Sequence, residues 1–463
     1  MTISDIFQKI ESGVSAREVI EEAIERAEKD EYNAVLEVIK DRALKRADEI
    51  DAKRAAGEEV GRLAGVPFLA KDNILTFDSR TTASAHMLEN FVAPYQATVI
   101  EKLEAEGAIC IGKTNLDAFA HGGSTENSFF GPTKNIADAE RVAGGSSGGS
   151  AVAVAAGIVP FALGSDTGGS IRQPASYNGV VGFKPTYGSV SRYGVVAMAS
   201  STDVVGPIAT TIDDVSLVLD CMSGVDVHDS TTIAIDPQQV KSSEKLRIGV
   251  IEQAMADEVD PEVRLVIEQS IAAARDAGHT IEFVSMPMQT YALAVYYIVV
   301  PAELTSNLAR FDGIKFGTSK PGSSIADTYR NTRTEGFMDE NKRRILIGNY
   351  VLSSGYYDAY YKKAQTVRTL IINEFNDAFK KYDVLIGPVA PTPAFRLGEN
   401  TDDPLQMYLT DIMTVPASLA GLPAISVPVG ATPAGLPVGL HVVAPMKNDR
   451  TLLRAASLWS HDG

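Results

Sequence analysis

The stretch from Val142 to Thr186 reads VAGGSSGGSAVAVAAGIVPFALGSDTGGSIRQPASYNGVVGFKPT. A Gly/Ser loop, Gly144 to Gly149, opens a helix of small residues, and an apolar strand follows it. That strand ends in a second glycine-rich loop, Gly164 to Gly169, which delivers Ser170 to the start of another helical turn. Consecutive N–H groups in such a loop, at a helix N-terminus, converge on one spot and favour negative charge there. Two uses fit: a phosphate cradle, or an oxyanion hole beside a serine nucleophile. A phosphate site would recruit basic residues, whereas this loop carries Asp166. Tight turns alone would explain one such loop. Two of them flanking a single helix and strand weaken that reading.

Working outward, short apolar strands and helices alternate along the chain. Gly65 to Ala70 (GVPFLA) is a predicted strand, Thr98 to Glu106 a helix, and Ala108 to Ile111 a strand. The central stretch itself gives a helix near Ser150 to Ala156 and strands at Ile158 to Leu163 and Val180 to Phe183. The pattern returns in RIGVI from Arg247, a helix from Pro261 to Ala274, YDVLIGP from Tyr382, AISVPVG from Ala424 and GLHVVAP from Gly439. Residues 4–56 read as helices, with Ile6, Ile10, Val19, Ile20, Ile24 and Ala27 at helical spacing and Ser15 as an N-cap. Residues 290–370 are richer in Tyr and Arg and are predicted to form a helical cap. No repeat or Pro/Gly/Ser linker marks a boundary. The expectation is a single α/β domain over 1–463, its central mixed sheet covered by helices on both faces.

Composition narrows the partners. The 463 residues carry 42 basic and 59 acidic side chains, a net charge of −17. So acidic a surface repels phosphate backbones, which argues against direct, charge-driven nucleic-acid binding. Cys110 and Cys221, both in apolar surroundings, read as inert core thiols compatible with a reducing cytosol. The start, MTISDIFQKIESG, lacks a signal-peptide pattern, and the apolar run Ala151 to Gly164 is too short to span a bilayer. A soluble, cytoplasmic protein with no membrane contact is expected.

Two short motifs mislead. Gly107 to Thr114 fits G-x-x-x-x-G-K-T, yet its intervening residues, Ala-Ile-Cys-Ile, read as a buried strand, and Gly107 as a helix C-cap. Gly144 to Gly148 fits G-x-S-x-G, yet the preceding DAERV does not read as the strand that a nucleophile elbow requires. Of the six histidines, His441 lies inside an apolar strand, and only His121 stays open as a catalytic candidate. A serine without a histidine needs another base. Lys71 directly follows GVPFLA; burial there would lower its pKa and make it a base. A surface lysine in a turn, with Asp72 and Asn73 next, fits the residues equally well.

GGSSGGS followed by GSDTGGSIRQPAS, with an upstream strand-Lys-Asp, resembles the amidase signature family over most of the chain. The resemblance implies the amidase-signature fold and a Ser–cisSer–Lys triad. Ser170 matches the nucleophile, Ser146 the bridging serine in a cis peptide, and Lys71 the base; the oxyanion hole falls on the backbone of Thr167, Gly168, Gly169 and Ser170.

Within that family, GGSTENS (Gly122 to Ser128), SNLARFDGIKFG (Ser306 to Gly317), the run from Thr334 to Arg368 and DIMTVPASLAGLPAISVP resemble the glutaminase subunits of tRNA-dependent amidotransferases. By position, Arg344 and Asp411 match the residues that hold the glutamine α-carboxylate and α-ammonium, and a tyrosine of the Tyr296-Tyr297 pair is expected to line the pocket. The resemblance implies a heterotrimer. In it, a B subunit binds tRNA and uses ATP with magnesium, a small C subunit wraps the junction, and this subunit needs no cofactor or metal. The chain departs from the pattern at Ala118 and His121, where a glutamate and a methionine are expected, and at Asn178, where cysteine is frequent. It also ends at His461-Asp-Gly463, sooner than the family usually does, so a truncation or a shorter tail is expected. The alternatives are a stand-alone amidase for another small amide, a catalytically silent member of the same complex and, remotely, a P-loop ATPase.

Overall fold

The computed structural model describes residues 1–235 and 245–460, so the expectation about the C-terminal tail lies outside the described residues. Eleven strands follow one another along the chain: β1 (Val35–Val38), β2 (Pro67–Lys71), β3 (Ile109–Thr114), β4 (Phe161–Asp166), β5 (Val181–Lys184), β6 (Val204–Ala209), β7 (Arg247–Ile251), β8 (Thr280–Val284), β9 (Val384–Pro388), β10 (Ala424–Ala431) and β11 (Pro437–Val443). They form one sheet in the order β1-β3-β2-β4-β6-β5-β10-β11-β9-β7-β8. The sheet is mixed: β2 runs parallel to both β3 and β4, and β7 to both β8 and β9. The β4–β6, β6–β5, β5–β10, β10–β11 and β11–β9 pairs are antiparallel.

The helices before β4 are α1 (Ile3–Glu11), α2 (Ala16–Glu28), α3 (Lys40–Ala55), α4 (Thr98–Ala105) and α5 (Gly148–Ala155). Then come α6 (Arg172–Asn178), α7 (Ile212–Met222), α8 (Pro261–Asp276), α9 (Ala292–Asn307), α10 (Ile325–Gly336) and α11 (Asp339–Leu352). Last are α12 (Lys363–Ala378), α13 (Pro404–Leu409), α14 (Val415–Leu419) and α15 (Asp449–Ala456). Both faces of the sheet are covered, as the alternation of its side chains shows. Phe68 and Ala70 of β2 share a core with Val99 and Leu103 of α4. Leu69, between them, packs with Ile20 of α2 and Val152 of α5 on the other side. On β11, Leu440 and Val442 face α8, while Val443 joins Val295 and Val299 of α9.

The N-terminal segment departs from expectation in one place. Ser15 caps α2 as expected, in a reciprocal capping box with Glu18. Residues 4–56, however, are not all helical. Asp30 accepts the N–H groups of Ala34 and Val35, Asn33 takes a left-handed φ of 56°, and the chain leaves the turn as β1, an edge strand on β3. β4 begins at Phe161 rather than at Ile158, because Gly157 ends α5 with a positive φ and Pro160 delays the strand.

Residues from Pro287 to Arg310, around α9, are as apolar as a membrane-spanning helix needs, a longer such run than the one at Ala151 to Gly164. That helix nevertheless packs against α11, α12 and α14, where over half of it is buried.

Candidate active site

β2 and β4 lie side by side and end at the same edge, so the chain leaving each strand meets the other. Lys71, the last residue of β2, is completely buried. Its Nζ lies 2.8 Å from Ser146 Oγ, 2.8 Å from Ser147 Oγ and 2.9 Å from Ser165 Oγ. Burial lowers its pKa to about 7 against the opposing pull of Asp117, Asp166 and Asp203. Lys71 is therefore the interior lysine, not the surface one.

Ser146 follows a cis peptide bond, Gly145–Ser146, in the loop that opens α5. Ser170 stands where the second loop turns into α6 and is 9% exposed, the least covered of the three. Its carbonyl accepts the Ser147 N–H at 3.1 Å, which ties the two glycine-rich loops together. Its hydroxyl has no hydrogen-bond partner among the described residues.

The loop from Thr167 to Ser170 is held on every side. Asp166, which counted against a phosphate cradle, is fully buried and pairs bidentately with Arg172 at 2.9 and 3.0 Å. Burial opposes its charge, but Arg172 keeps the carboxyl below its usual value. Arg172 also donates to the Thr414 carbonyl, Ser418 Oγ and His441 Nε2. His441 must therefore accept with that nitrogen; burial and Arg172 hold its pKa well below normal, which removes it as a base. Thr167 Oγ1 donates to Asp203, and Thr414 Oγ1 donates to the Gly168 carbonyl at 2.6 Å. A methyl group on Gly168 would lie 2.8 Å from the Tyr296 ring, and one on Gly169, φ 154°, 2.2 Å from Thr414 Oγ1. Only glycine fits at either position.

A second cluster borders the first. Arg344 of α11 is buried, donates from Nε to Glu340 at 2.7 Å, and has its guanidinium carbon 5.1 Å from the Tyr297 ring and 5.4 Å from that of Tyr408. Asp411 follows α13. Burial raises its carboxyl pKa to about 7, with Arg344 pulling the other way and Asp166 and Asp117 adding to the rise. Of the Tyr296-Tyr297 pair, the first presses on the Gly168 loop and the second receives a long hydrogen bond, 3.4 Å, from Arg344 Nη2.

The departures have local explanations. His121 is buried; its Nδ1 lies 2.9 Å from Asn341 Nδ2 and 3.3 Å from the Ala118 carbonyl oxygen, and its Nε2 has no hydrogen-bond partner among the described residues. Burial and the Arg344 charge push its pKa down to about 3, too low for a base working near neutrality. Ala118 contributes its carbonyl to the same Asn341 amide. Asn178 donates to the Ala143 and Pro174 carbonyls, clamping α6 to the start of the first glycine-rich loop.

Sequence reasoning singled out neither Asp117 nor Gln173, Asp203 and Thr414, which hold these loops from distant segments. The misleading P-loop match is β3 itself. Lys113 is fully buried, donates to the Ile74 carbonyl and pairs with Asp72. Among the described residues, no group of three or more His, Cys, Asp and Glu side chains is arranged to hold a metal ion.

Known proteins resemble this chain over most of its length. The model of the Amidase family matches residues 18–453. The chain is 51% identical over 450 residues to the A-type glutamyl-tRNA(Gln) amidotransferase chain of Thermosynechococcus vestitus, covering 96% of this chain and 93% of that protein. It is 50% identical over 461 residues to the protein of the same name from Moorella thermoacetica, covering 98% and 94%. Among solved structures, the A-type glutamyl-tRNA(Gln) amidotransferase chain from Thermotoga maritima superimposes with a TM-score of 0.80 at 38% identity, covering 100% of this chain and 95% of that one. A bacterial aryl acylamidase of the amidase signature family superimposes with a TM-score of 0.86 at 25% identity, covering 99% and 96%.

Proposed function

The chain belongs to the Amidase family, and on that premise we propose that it is the glutaminase subunit of a tRNA-dependent amidotransferase. The observation that carries the proposal is the buried Lys71 with its Nζ 2.8 Å from Ser146 Oγ, beside a glycine-rich loop that ends in Ser170.

Neutral Lys71 takes the Ser146 hydroxyl proton as Ser146 takes that of Ser170, and Ser170 Oγ attacks the side-chain carbonyl carbon of glutamine. The oxyanion forms against the N–H groups of Thr167, Gly168, Gly169 and Ser170, where losing one donor typically costs about 3 kcal/mol. The relay returns the proton to the leaving nitrogen, the C–N bond breaks, and ammonia departs. Water then cleaves the glutamyl ester on Ser170 and releases glutamate. Arg344 holds the α-carboxylate and Asp411 the α-ammonium, which selects a free amino acid over a simple amide.

Ammonia passes to a B subunit that binds tRNA, uses ATP with magnesium, and amidates Glu-tRNA(Gln), Asp-tRNA(Asn) or both. A small C subunit completes the heterotrimer. The net charge of −17 supports leaving tRNA to the partner. The sheet, continuous from β1 to β8, supports a single catalytic domain with residues 60–210 as its signature core and about 290–370 as a cap. A cytoplasmic location fits the two buried, unpaired cysteines. Mass spectrometry of the acid-quenched enzyme after mixing with glutamine tests the chemistry. A glutamyl adduct on the Ser170 peptide, lost in Ser170→Ala, is expected; an adduct elsewhere would refute the assignment.

A further inference from the structure

We propose that Asp117 is a positioning residue of this site, one that seats the Gly144–Ser147 loop and sets the charge balance around Lys71. The inference rests on the roles proposed above for Ser170, Ser146 and Lys71.

Asp117 follows β3 and is completely buried. Its Oδ2 accepts the N–H of Thr125 at 2.9 Å and its Oδ1 that of Asn127 at 3.1 Å, so one carboxylate folds the intervening chain into a strap. The strap grips the catalytic loop at three points. Thr125 Oγ1 donates to the Gly144 carbonyl at 2.7 Å. Gln173 bridges, donating to the Gly123 carbonyl at 2.8 Å and accepting the Gly145 N–H at 2.9 Å. Asp117 itself lies against Gly145: a methyl group there would fall 2.1 Å from its Oδ2, and one on Gly122 2.3 Å from its carboxyl carbon. The residue that precedes Ser146 is thus packed directly on the Asp117 carboxylate. The far side of the strap reaches the second cluster, since Gly123 lies beside Thr410 and Asp411.

Charge gives Asp117 a second effect. The groups that act electrostatically on it or on Lys71 are Lys71 of β2, Glu126 of the strap, Asp411 beyond α13, Asp166 of β4, and Asp203 before β6. Lys71 is the one cation among them. A buried carboxylate near a lysine favours the ammonium, so Asp117 holds the pKa of the base higher than burial alone would leave it. Burial raises the Asp117 carboxyl to about 7, against the Thr125 and Asn127 N–H groups and, after them, Lys71.

The test is the pH dependence of Ser170 labelling by a fluorophosphonate, followed on the folded full-length chain with Ser170→Ala as the blank. This probe needs no glutamine, so its outcome stands apart from the substrate assignment. Labelling that persists in the blank would sink the nucleophile assignment instead. Asp117→Asn keeps the side-chain shape, removes the charge and turns an acceptor into a donor. It is expected to slow labelling about 10-fold or more, as small misplacements of reacting groups do. It should also move the acid limb of the profile to lower pH by about one unit, because Lys71 then loses its proton more readily. Slower labelling with the acid limb unmoved would overturn the charge role and leave Asp117 as a seat for the loop alone. An unchanged rate would overturn the proposal outright. If Asp117→Asn fails to fold by circular dichroism, Thr125→Val reads the strap alone: slower labelling with an unmoved limb is expected, and an unchanged rate contradicts the seating role.

Discussion

The proposed chemistry turns on a single side chain, Lys71. A base must be neutral to accept a proton, and burial brings this lysine's pKa down from 10.5 to about 7. Activity should therefore rise with pH through about 7 and level off above it; a rise centred near the ordinary lysine value would contradict the assignment. Lys71→Arg, which stays protonated, should lower kcat roughly 10²–10⁴-fold, the usual range for a lost general base. At the other end of the proposed substrate, Arg344 has Glu340 on Nε and a long hydrogen bond from Nη2 to Tyr297, which leaves Nη1 as the arm of the fork for a carboxylate. A lysine cannot reproduce that fork. Arg344→Lys should raise KM for glutamine roughly 10–100-fold, the worth of a charge-assisted hydrogen bond, with a smaller effect on kcat. Steady-state kinetics separate the two, and an unchanged KM would remove Arg344 from the binding site.

At the scale of elements, the site depends on chain segments meeting at one sheet edge. α9 and α11, which carry Tyr296, Tyr297 and Arg344, pack tightly at Gly348, where a methyl group would come 2.0 Å from the Pro301 carbonyl oxygen. Gly348→Ala should cost about 1–3 kcal/mol by overpacking, read as a lower urea midpoint at constant slope. An unshifted midpoint would mean that the helices can separate freely. What was legible in the sequence followed the same division. The β4 loop, Ser170 and the Gly/Ser loop lie within one stretch, and their local pattern exposed them. Lys71 was visible as a strand end, but whether it faced inward was not, because burial depends on β3 and β4 packing beside β2. Asp117, Thr414 and Asp203 gave no signal, since each acts across a gap in sequence. Thr414, for instance, reaches Gly168 across 246 positions. β1 was hidden for another reason: four half-buried residues at a sheet edge carry too little alternation to stand out from the helices around them.

For the molecule as a whole, the eleven-stranded sheet sets the two loops, the strap and the α9–α14 layer around one buried lysine. The net charge of −17 fits the proposed division of labour, in which a partner holds the nucleic acid. Activity should therefore belong to this chain while its yield depends on the assembly. The most direct test is release of glutamate and ammonia from glutamine, measured with the chain alone and with the proposed B and C partners, beside Ser170→Ala. Glutamine hydrolysis that rises with the partners and disappears in Ser170→Ala is the expected result. Glutamine left untouched in every assembly, while another amide is cleaved in a Ser170-dependent way, would contradict it and make the chain a stand-alone amidase.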